Sequence, residues 1–274
     1  MAAEKTKRNG AKPFLKWVGG KRKVLKWLRD LYPPSYGRYY EPFVGGGAVF
    51  FDLGPRRATL SDTNGELIEC YCTVRDRVDE LIEALKIHVY DKEYYYRIRE
   101  QDPGDLDPVK RAARMISLNH TGFNGLYRVN SKGKFNVPFG RYVNPTICAE
   151  PTLRACSSRL ANSRMLEQGF EKVLSSAKKN DFVYLDPPYI PLSKTANFTA
   201  YQKRGFGMDN QERLADVFDE LSVRGVFAML SNSNGEWVHG RYSDYKIAEI
   251  EAARQINSVS TRRGPVGEIV VTNY

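Results

Sequence analysis

The sequence is poor in the residues that build metal centres and disulfide frameworks. Its 274 residues include four cysteines and three histidines. The cysteines, Cys70, Cys72, Cys148 and Cys156, show no paired CxxC spacing, so neither a zinc framework nor a disulfide scaffold is predicted. We therefore expect reduced thiols, no bound metal and a cytoplasmic location.

Long hydrophobic runs are also missing. About 18 consecutive apolar residues are needed to cross a bilayer, and the most apolar stretches, such as residues 226–230, are far shorter. Residues 1–10 are polar and basic and lack the apolar core of a secretory signal. With 42% hydrophobic and 27% charged residues, the composition excludes collagen-like and disordered classes. It is typical of a globular protein with no membrane partner.

Acidic residues are scarce in two parts of the chain. The sequence has 42 Lys+Arg and 32 Asp+Glu, a formal charge of +10. Residues 1–30 hold ten basic and two acidic residues, residues 63–102 hold six and ten, and residues 120–142 hold no acid. Because apolar residues are interleaved with the basic ones after residue 13, this charge predicts a polyanion partner. For residues 1–10 a solvated basic tail is the alternative.

Strands alternate with helices over most of the chain. Strands are predicted at residues 38–43, 58–62, 164–168, 181–186, 226–231, 245–250 and 268–273, and helices at residues 64–86, 108–118 and 211–223. This order predicts an α/β fold with a mainly parallel sheet covered by helices on both faces. Between about residues 91 and 160 the chain is helical and loop-like, with a β-hairpin predicted at residues 126–142. We interpret this part as an insertion beside the sheet.

A glycine cluster follows the first predicted strand. Gly45, Gly46 and Gly47 lie there, and Asp62 ends the next strand, fifteen residues beyond Gly47. Glycines let the backbone turn tightly against a ligand, and an acid at this place can bind both hydroxyls of a ribose. The pattern favours an adenosine-containing ligand, with a glycine-rich surface turn as the alternative. No GKS or GKT follows, so a P-loop NTPase is disfavoured.

The tetrapeptide Asp186-Pro187-Pro188-Tyr189 follows another predicted strand. In an open α/β sheet this is the carboxyl end of the strands, where ligands bind. The Asp186 carboxylate and the Pro187 carbonyl can each accept an N–H of an exocyclic aromatic amine, which directs its lone pair at an electrophile. The prolines stiffen the backbone, and Tyr189 offers a face on which a base can stack. A strand-ending turn is the alternative interpretation.

Four motifs in order resemble the Dam-type DNA adenine-N6 methyltransferases. They are KPFLKWVGGK at residues 12–21, EPFVGGGAVFF at residues 41–51, FNGLYRVNSKGKFNVPFGRY at residues 123–142 and DPPY at residues 186–189. The sequence is especially similar to the GATC-methylating members of restriction-modification systems. The resemblance implies a Rossmann-like methyltransferase sheet with an antiparallel C-terminal strand, plus an inserted, mostly helical DNA-recognition region with a β-hairpin.

The resemblance also implies roles for single residues around the cofactor. The residues implied to bind S-adenosylmethionine are Trp17, Lys21, Gly45, Gly47, Asp62 and Asp186, and those implied in catalysis are Asp186, Pro187 and Tyr189. The catalytic domain is expected at residues 1–62 and 163–274. The target-recognition region is expected at residues 63–162.

On the DNA side, the resemblance implies that Phe123 occupies the aromatic position that fills or stacks near the space left by a flipped adenine. Several relatives have tyrosine there, so stacking is retained but a hydroxyl contact is not. The other residues expected to bind DNA are Lys16, at a flanking guanine, and Asn124, Leu126, Arg128, Pro138 and Tyr142. Arg128 suits this role because arginine pairs bidentately with guanine O6 and N7. Tyr127 and Phe135 are interpreted either as groove-facing or as packing residues.

The resulting hypothesis is an enzyme that flips adenine out of double-stranded DNA and methylates its N6, accompanied by a restriction endonuclease for the same site. A monomer is expected, with a dimer as the alternative. The same chemistry on another DNA target or on cytosine N4, and a DNA-binding relative without catalysis, remain alternatives. Cytosine-C5 methylation is disfavoured because it needs a nucleophile, usually cysteine, and no cysteine lies in a Pro-Cys loop after a strand.

Overall fold

A seven-stranded sheet forms the centre of the protein. The computed structural model describes residues 10–189, 206–253 and 265–274. The strands are β1 (Tyr39–Glu41), β2 (Ala58–Asp62), β3 (Ser163–Glu167), β4 (Phe182–Leu185), β5 (Phe227–Ser233), β6 (Lys246–Ala253) and β7 (Pro265–Thr272). They lie in the order β3-β2-β1-β4-β5-β7-β6. Strands β1 to β5 pair in parallel, whereas β7 is antiparallel to both β5 and β6.

Helices connect the strands and form most of the region between β2 and β3. In chain order they are α1 (Leu25–Leu28), α2 (Ala48–Leu53), α3 (Gly65–Asp76), α4 (Val78–Lys86), α5 (Lys92–Glu100), α6 (Pro108–Thr121), α7 (Glu150–Leu160), α8 (Met208–Val223) and α9 (Glu236–Arg241). The side chains of Asp91 and Asp107 accept backbone N–H groups at the starts of α5 and α6. These aspartates fix where the two helices begin, because the first N–H groups of a helix have no partner within it.

Alternate residues of the central strands enter two cores, one on each face of the sheet. Tyr39 and Tyr184 pack with residues of α2, α3 and α6 on one face. Tyr40 and Val183 pack with Phe218 and other residues of α8 on the opposite face. Successive side chains of a strand point to opposite faces, so these strands are buried on both sides. The predicted α/β class is confirmed, with its mainly parallel sheet, helices on both faces and antiparallel C-terminal strand.

The helix predicted at residues 64–86 is wrong in one respect, because the chain forms two helices there. Arg77 separates α3 from α4 with φ of −136° and ψ of 38°. Its Nε donates to Oε1 of Glu80 at 2.8 Å, across the first turn of α4. Both helices pack against α6 and α7, and α3 also packs against β2 and β3. Apolar spacing alone carries no information about this change of direction.

The segment predicted as a hairpin folds back on itself without forming regular strands. An isolated bridge pairs Val129 with Phe135. At the tip, the side chain of Asn130 accepts the backbone N–H groups of Lys132 and Lys134 at 2.9 and 3.0 Å. Side-chain bonds of this kind compete with a strand ladder for backbone donors. The chain reversal is therefore present as predicted, but it is a loop held by a few backbone hydrogen bonds together with side-chain bonds.

Neither a membrane span nor a clustered metal site occurs among the residues that the structure describes. Within those ranges, every helix is too short or too polar to cross a bilayer. The same residues contain no group of three or more His, Cys, Asp and Glu side chains arranged to hold a metal ion.

Candidate active site

The two predicted ligand-binding motifs meet at the carboxyl edge of the sheet. The strand order reverses at β1, which lies between β2 and β4. Open α/β sheets form a ligand crevice where the order reverses in this way. The glycine turn at residues 44–47 follows β1, Asp62 ends β2, and Asp186 directly follows β4. The topology therefore brings three predicted site elements to one edge.

Close packing against Trp17 shapes the glycine turn. Gly45 and Gly47 have φ of 45° and 65°, in the left-handed region that favours glycine. A β-carbon on Gly45 would lie 2.7 Å from Cδ1 of Trp17, and one on Gly47 would lie 2.7 Å from the hydroxyl oxygen of Tyr71. A larger residue at either position would displace the turn, which explains why both positions hold glycine.

Asp62 holds the glycine turn from the neighbouring strand. Its Oδ2 accepts the backbone N–H of Gly45 at 3.2 Å, and its Oδ1 accepts that of Asn64 at 3.0 Å. Burial raises the pKa of Asp62, and these backbone donors oppose the shift. The side chain of Asn64 in turn accepts the N–H of Leu67 at 3.1 Å and caps α3. The carboxylate is thus fixed beside the turn, at the end of β2.

Asp186 forms a buried ion pair with Lys21. The Nζ of Lys21 lies 2.8 Å from Oδ1 of Asp186 and 3.1 Å from Oε1 of Glu268, and it donates to the carbonyl of Gly19 at 2.8 Å. Lys21 is only 4% exposed, so its charge depends on these acceptors. Tyr189 completes the group, because its hydroxyl bonds to Glu268 and its ring centroid lies 4.7 Å from Lys21 Nζ.

Asp186 and Glu41 have raised pKa values. Burial raises the pKa of Asp186 to about 6, although the ammonium of Lys21 acts in the opposite direction. Burial also raises the pKa of Glu41 to about 8, and the hydroxyl of Tyr39 donates to this acid at 2.8 Å. Burial alone would lower the pKa of Lys21, but Asp186 and Glu268 reverse that shift and the pKa is raised. Perturbed groups clustered in a crevice are typical of functional sites.

Side chains from α8 and β5 hold the loop that follows β4. The Nε2 of Gln211 donates to the carbonyl of Pro188 at 2.9 Å, and the Oε1 of Gln211 accepts Nδ2 of Asn232 at 3.1 Å. Both amide side chains are fully buried. Buried side-chain amides that are hydrogen-bonded to one another hold each other in fixed positions. The carbonyl of Pro188 is therefore held by Gln211 of α8, which is itself held by Asn232 of β5.

The predicted DNA-facing residues lie mainly on one segment, residues 122–142. The N–H of Phe123 donates to the carbonyl of Pro138 at 2.8 Å, which joins the two ends of the segment. Asn124 adopts φ of 54°. Arg128 donates from Nε and Nη2 to the side-chain and backbone oxygens of Asn136 at 2.7 and 3.0 Å. Phe123, Asn124, Arg128 and Pro138 are exposed, and Leu126 is half-buried.

Asn119 of α6 and Tyr142 connect this segment to the residues that precede Lys21. The backbone N–H and carbonyl of Lys16 both pair with the side chain of Asn119 at 2.8 Å, and Nδ2 of Asn119 also donates to the carbonyl of Gly125 at 2.8 Å. The Nζ of Lys16 lies 4.1 Å from the ring centroid of Tyr142. Lys16 is followed in the chain by Trp17, whose ring packs against the glycine turn. The predicted DNA-binding and cofactor-binding residues therefore meet at residues 16 and 17.

Tyr127 is a packing residue in the same segment. Its ring stacks on Trp17 with a centroid distance of 5.5 Å and meets the ring of Phe135 edge-on at 5.8 Å. Its hydroxyl donates to Oε2 of Glu66 at 2.7 Å. These contacts select the packing interpretation for Tyr127 and Phe135 over the groove-facing one.

Sequence reasoning missed Glu268 and Gln211, which contact the motif at residues 186–189. Glu268 reaches the site because the antiparallel register sets it opposite Ser233 at the carboxyl end of β5. The sequence signal for Glu268 was a lone acid in the apolar run EIVV. Gln211 has no comparable signal, because its role depends on how α8 packs against the loop.

Known proteins are similar to this chain over nearly its whole length. The family profile described as D12 class N6 adenine-specific DNA methyltransferase matches residues 17–256. The type II methyltransferase M1.LlaDCHI of Lactococcus lactis subsp. cremoris is 46% identical, with 96% of this chain and 95% of the relative covered. The type II methyltransferase M.MjaIII of Methanocaldococcus jannaschii is 42% identical, with 96% and 99% covered. The DNA adenine methylase of Escherichia coli K12 is 36% identical, with 94% and 93% covered.

The profile match includes the glycine turn, residues 122–142 and Asp186. The same parts of the chain carried the resemblance predicted from the four ordered motifs, and that resemblance is confirmed. A profile that covers most of the chain, together with relatives aligned nearly end to end, establishes a Dam-like enzyme acting on DNA. The chain belongs to the D12 class of N6 adenine-specific DNA methyltransferases.

Proposed function

We propose that this protein transfers a methyl group from S-adenosylmethionine to N6 of an adenine flipped out of double-stranded DNA at GATC sites. The observation that carries the proposal is the Asp186 carboxylate, held by Lys21 at the carboxyl end of β4 and beside the glycine turn. Ligands of open α/β sheets bind in this crevice. Family membership supplies the reaction class, which is methylation of adenine N6 in DNA.

The residues of the glycine turn fit the cofactor. The backbone of Gly45 approaches the Trp17 ring so closely that no side chain fits between them. The backbone of the glycine turn, the indole of Trp17 and the carboxylate of Asp62 together provide donors and acceptors suited to adenosine. Trp17, Lys21, Gly45, Gly47, Asp62 and Asp186 would hold S-adenosylmethionine. When bound, this cofactor supplies an electrophilic methyl group on a positively charged sulfur. Lys21 carries one positive charge against the two carboxylates of Asp186 and Glu268, and the resulting net negative charge favours a cation.

Asp186 and Pro187 act on the amine of the target base. The carboxylate and the carbonyl each accept one N–H, so the N6 lone pair is withdrawn from the ring and directed outward. Methylated N6 must release one proton, and the Asp186 carboxylate, with its pKa raised to about 6, is a stronger acceptor than an ordinary carboxylate. Lys21 orients Asp186, and Tyr189 provides the ring on which the base stacks.

The target adenine must leave the DNA double helix to reach the carboxyl edge of the sheet, because a stacked base cannot enter a crevice in the protein. Phe123 has 48% of its side chain exposed and is suited to fill the space that the base vacates. Asn124, Leu126, Arg128 and Pro138 would read the site, and Lys16 with Tyr142 would contact its flank. In this proposal residues 63–162 form the target-recognition region, and residues 1–62 and 163–274 form the catalytic domain.

A restriction-modification role is part of the proposal. Two of the similar proteins are named type II methyltransferases, and that name supports a companion endonuclease that cuts the same site. We also propose that the protein acts as a monomer, since Lys21, Asp186 and Glu268 come together within one chain.

Unmethylated plasmid DNA incubated with the protein and S-adenosylmethionine should acquire N6-methyladenine at GATC sites alone. Mapping by methylation-sensitive cleavage and sequencing locates the modified base, and mass spectrometry of the nucleosides identifies it. Methylation of adenine in another sequence would refute the GATC assignment. N4-methylcytosine would contradict the proposed reaction, and no transfer at all would indicate a DNA-binding relative without catalysis.

Replacing Arg128 with alanine should reduce discrimination at one base pair of the site by about 10-fold to 100-fold, because a bidentate contact to guanine is lost. Affinity is measured on a GATC duplex and on duplexes with single base-pair changes. The matched control Lys134→Ala, in the same loop and exposed, should weaken binding to all duplexes alike. An equal loss on every duplex for Arg128→Ala would make Arg128 a phosphate contact instead.

The catalytic efficiency should rise with pH through a midpoint near 6. Below that pH the raised pKa of Asp186 keeps its carboxyl group protonated, and a protonated carboxyl group is a weaker acceptor for the N6 amine. The measurement is kcat/KM for methyl transfer between pH 5 and pH 8, with DNA affinity determined at each pH. A value of kcat/KM that stays constant across this range would show that the ionisation of Asp186 does not limit the reaction.

A further inference from the structure

Glu268 contacts two residues of the proposed site, Lys21 and Tyr189. Its Oε1 accepts from Lys21 Nζ at 3.1 Å and from the hydroxyl of Tyr189. The ring of Tyr189 lies over the same ammonium, with its centroid 4.7 Å from Nζ. Glu268 is 8% exposed and belongs to β7, so it reaches this contact from the rigid sheet. One buried carboxylate therefore sets the position of both the lysine and the tyrosine.

The neighbouring residues of the loop have contacts of their own that do not include Glu268. Asp186 is paired with Lys21, and the carbonyl of Pro188 accepts from Gln211. Lys21 also keeps its bond to the carbonyl of Gly19. Loss of the Glu268 carboxylate would therefore remove one contact that orients the ring of Tyr189, while the backbone before it stays in place.

We infer that Glu268 is a positioning residue for methyl transfer, which holds the Tyr189 ring in the orientation that stacks the target adenine against Asp186. The inference rests on the proposed site at Asp186. Glu268 acts through the hydroxyl of Tyr189 and the ammonium of Lys21 and need not touch the base itself. Orientation of this kind matters because small displacements of a reacting group from its productive geometry slow a reaction strongly.

The same contact explains why the aromatic residue of the motif carries a hydroxyl. A phenylalanine ring would stack on a base equally well, because stacking uses the face of the ring. The hydroxyl of Tyr189 bonds to Glu268 instead. In this view the ring binds the substrate and the hydroxyl fixes the ring.

The test compares Glu268→Gln, Tyr189→Phe and the double variant in single-turnover methyl transfer, with cofactor and GATC duplex both saturating. Tyr189→Phe removes the donor of the hydroxyl–carboxylate bond and Glu268→Gln removes its charged acceptor, so each should slow transfer by about 10-fold, the effect of losing one hydrogen bond to a charged group. The double variant should also be about 10-fold slower, because the contact can be lost only once. Affinity for the duplex should stay at the wild-type value.

The matched control is Glu249→Gln. Glu249 is an exposed acid on β6, and it pairs in register with Ile269, the residue that follows Glu268. It lies outside the proposed site, so this variant should transfer methyl groups at the wild-type rate. Thermal unfolding of all four variants reports whether any loss of rate reflects loss of folded protein.

Three results would overturn the inference. They are a wild-type rate for Tyr189→Phe, losses that multiply to about 100-fold in the double variant, and a defect confined to DNA affinity. If Glu268→Gln does not fold, Tyr189→Phe decides alone, since it removes one exchangeable hydroxyl and no core atom. Failure of the wild-type protein to methylate the same duplex would instead refute the proposed function.

Discussion

The buried ammonium of Lys21 is the interaction on which the site depends. It joins the N-terminal segment to the loop after β4 through Asp186 and to the C-terminal strand β7 through Glu268. Without these acceptors a lysine this deeply buried would be strongly unfavourable, and without the lysine the two carboxylates would repel each other. Lys21, Asp186 and Glu268 are far apart in the sequence, so the site forms only when the chain has folded.

Much of the fold and part of the site could be predicted from local patterns. The alternation of strands and helices, the glycine turn and the tetrapeptide at Asp186 are each defined by a few neighbouring residues. Glu268 could not be placed, because its position depends on the antiparallel register that sets it against Ser233. Gln211 likewise depends on the packing of α8. Residues that enter a site from a distant strand or helix leave little trace in their own sequence neighbourhood.

In the region between β2 and β3, the backbone also differs from what local sequence patterns predict. Apolar spacing predicted one helix across Arg77, but the non-helical backbone of Arg77 divides the chain there into α3 and α4. The reversal at residues 126–142 was predictable from its turn residues, whereas the side-chain bonds of Asn130 at its tip were not. The structure adds that Trp17 packs on Tyr127 of this segment and on the glycine turn, so the proposed cofactor and DNA sites share a wall.

The central claim is that Asp186 receives the amine that is methylated, and single-turnover transfer by Asp186→Ala tests it most directly. In this variant Lys21 retains Glu268 and the carbonyl of Gly19 as acceptors, so we expect a folded protein. Transfer should fall by at least about 100-fold, as when one preorganised group that stabilises a transition state is removed. Affinity for a GATC duplex should stay near the wild-type value, because the proposed DNA-reading residues lie on another segment. Transfer at the wild-type rate would contradict the placement of the amine at Asp186.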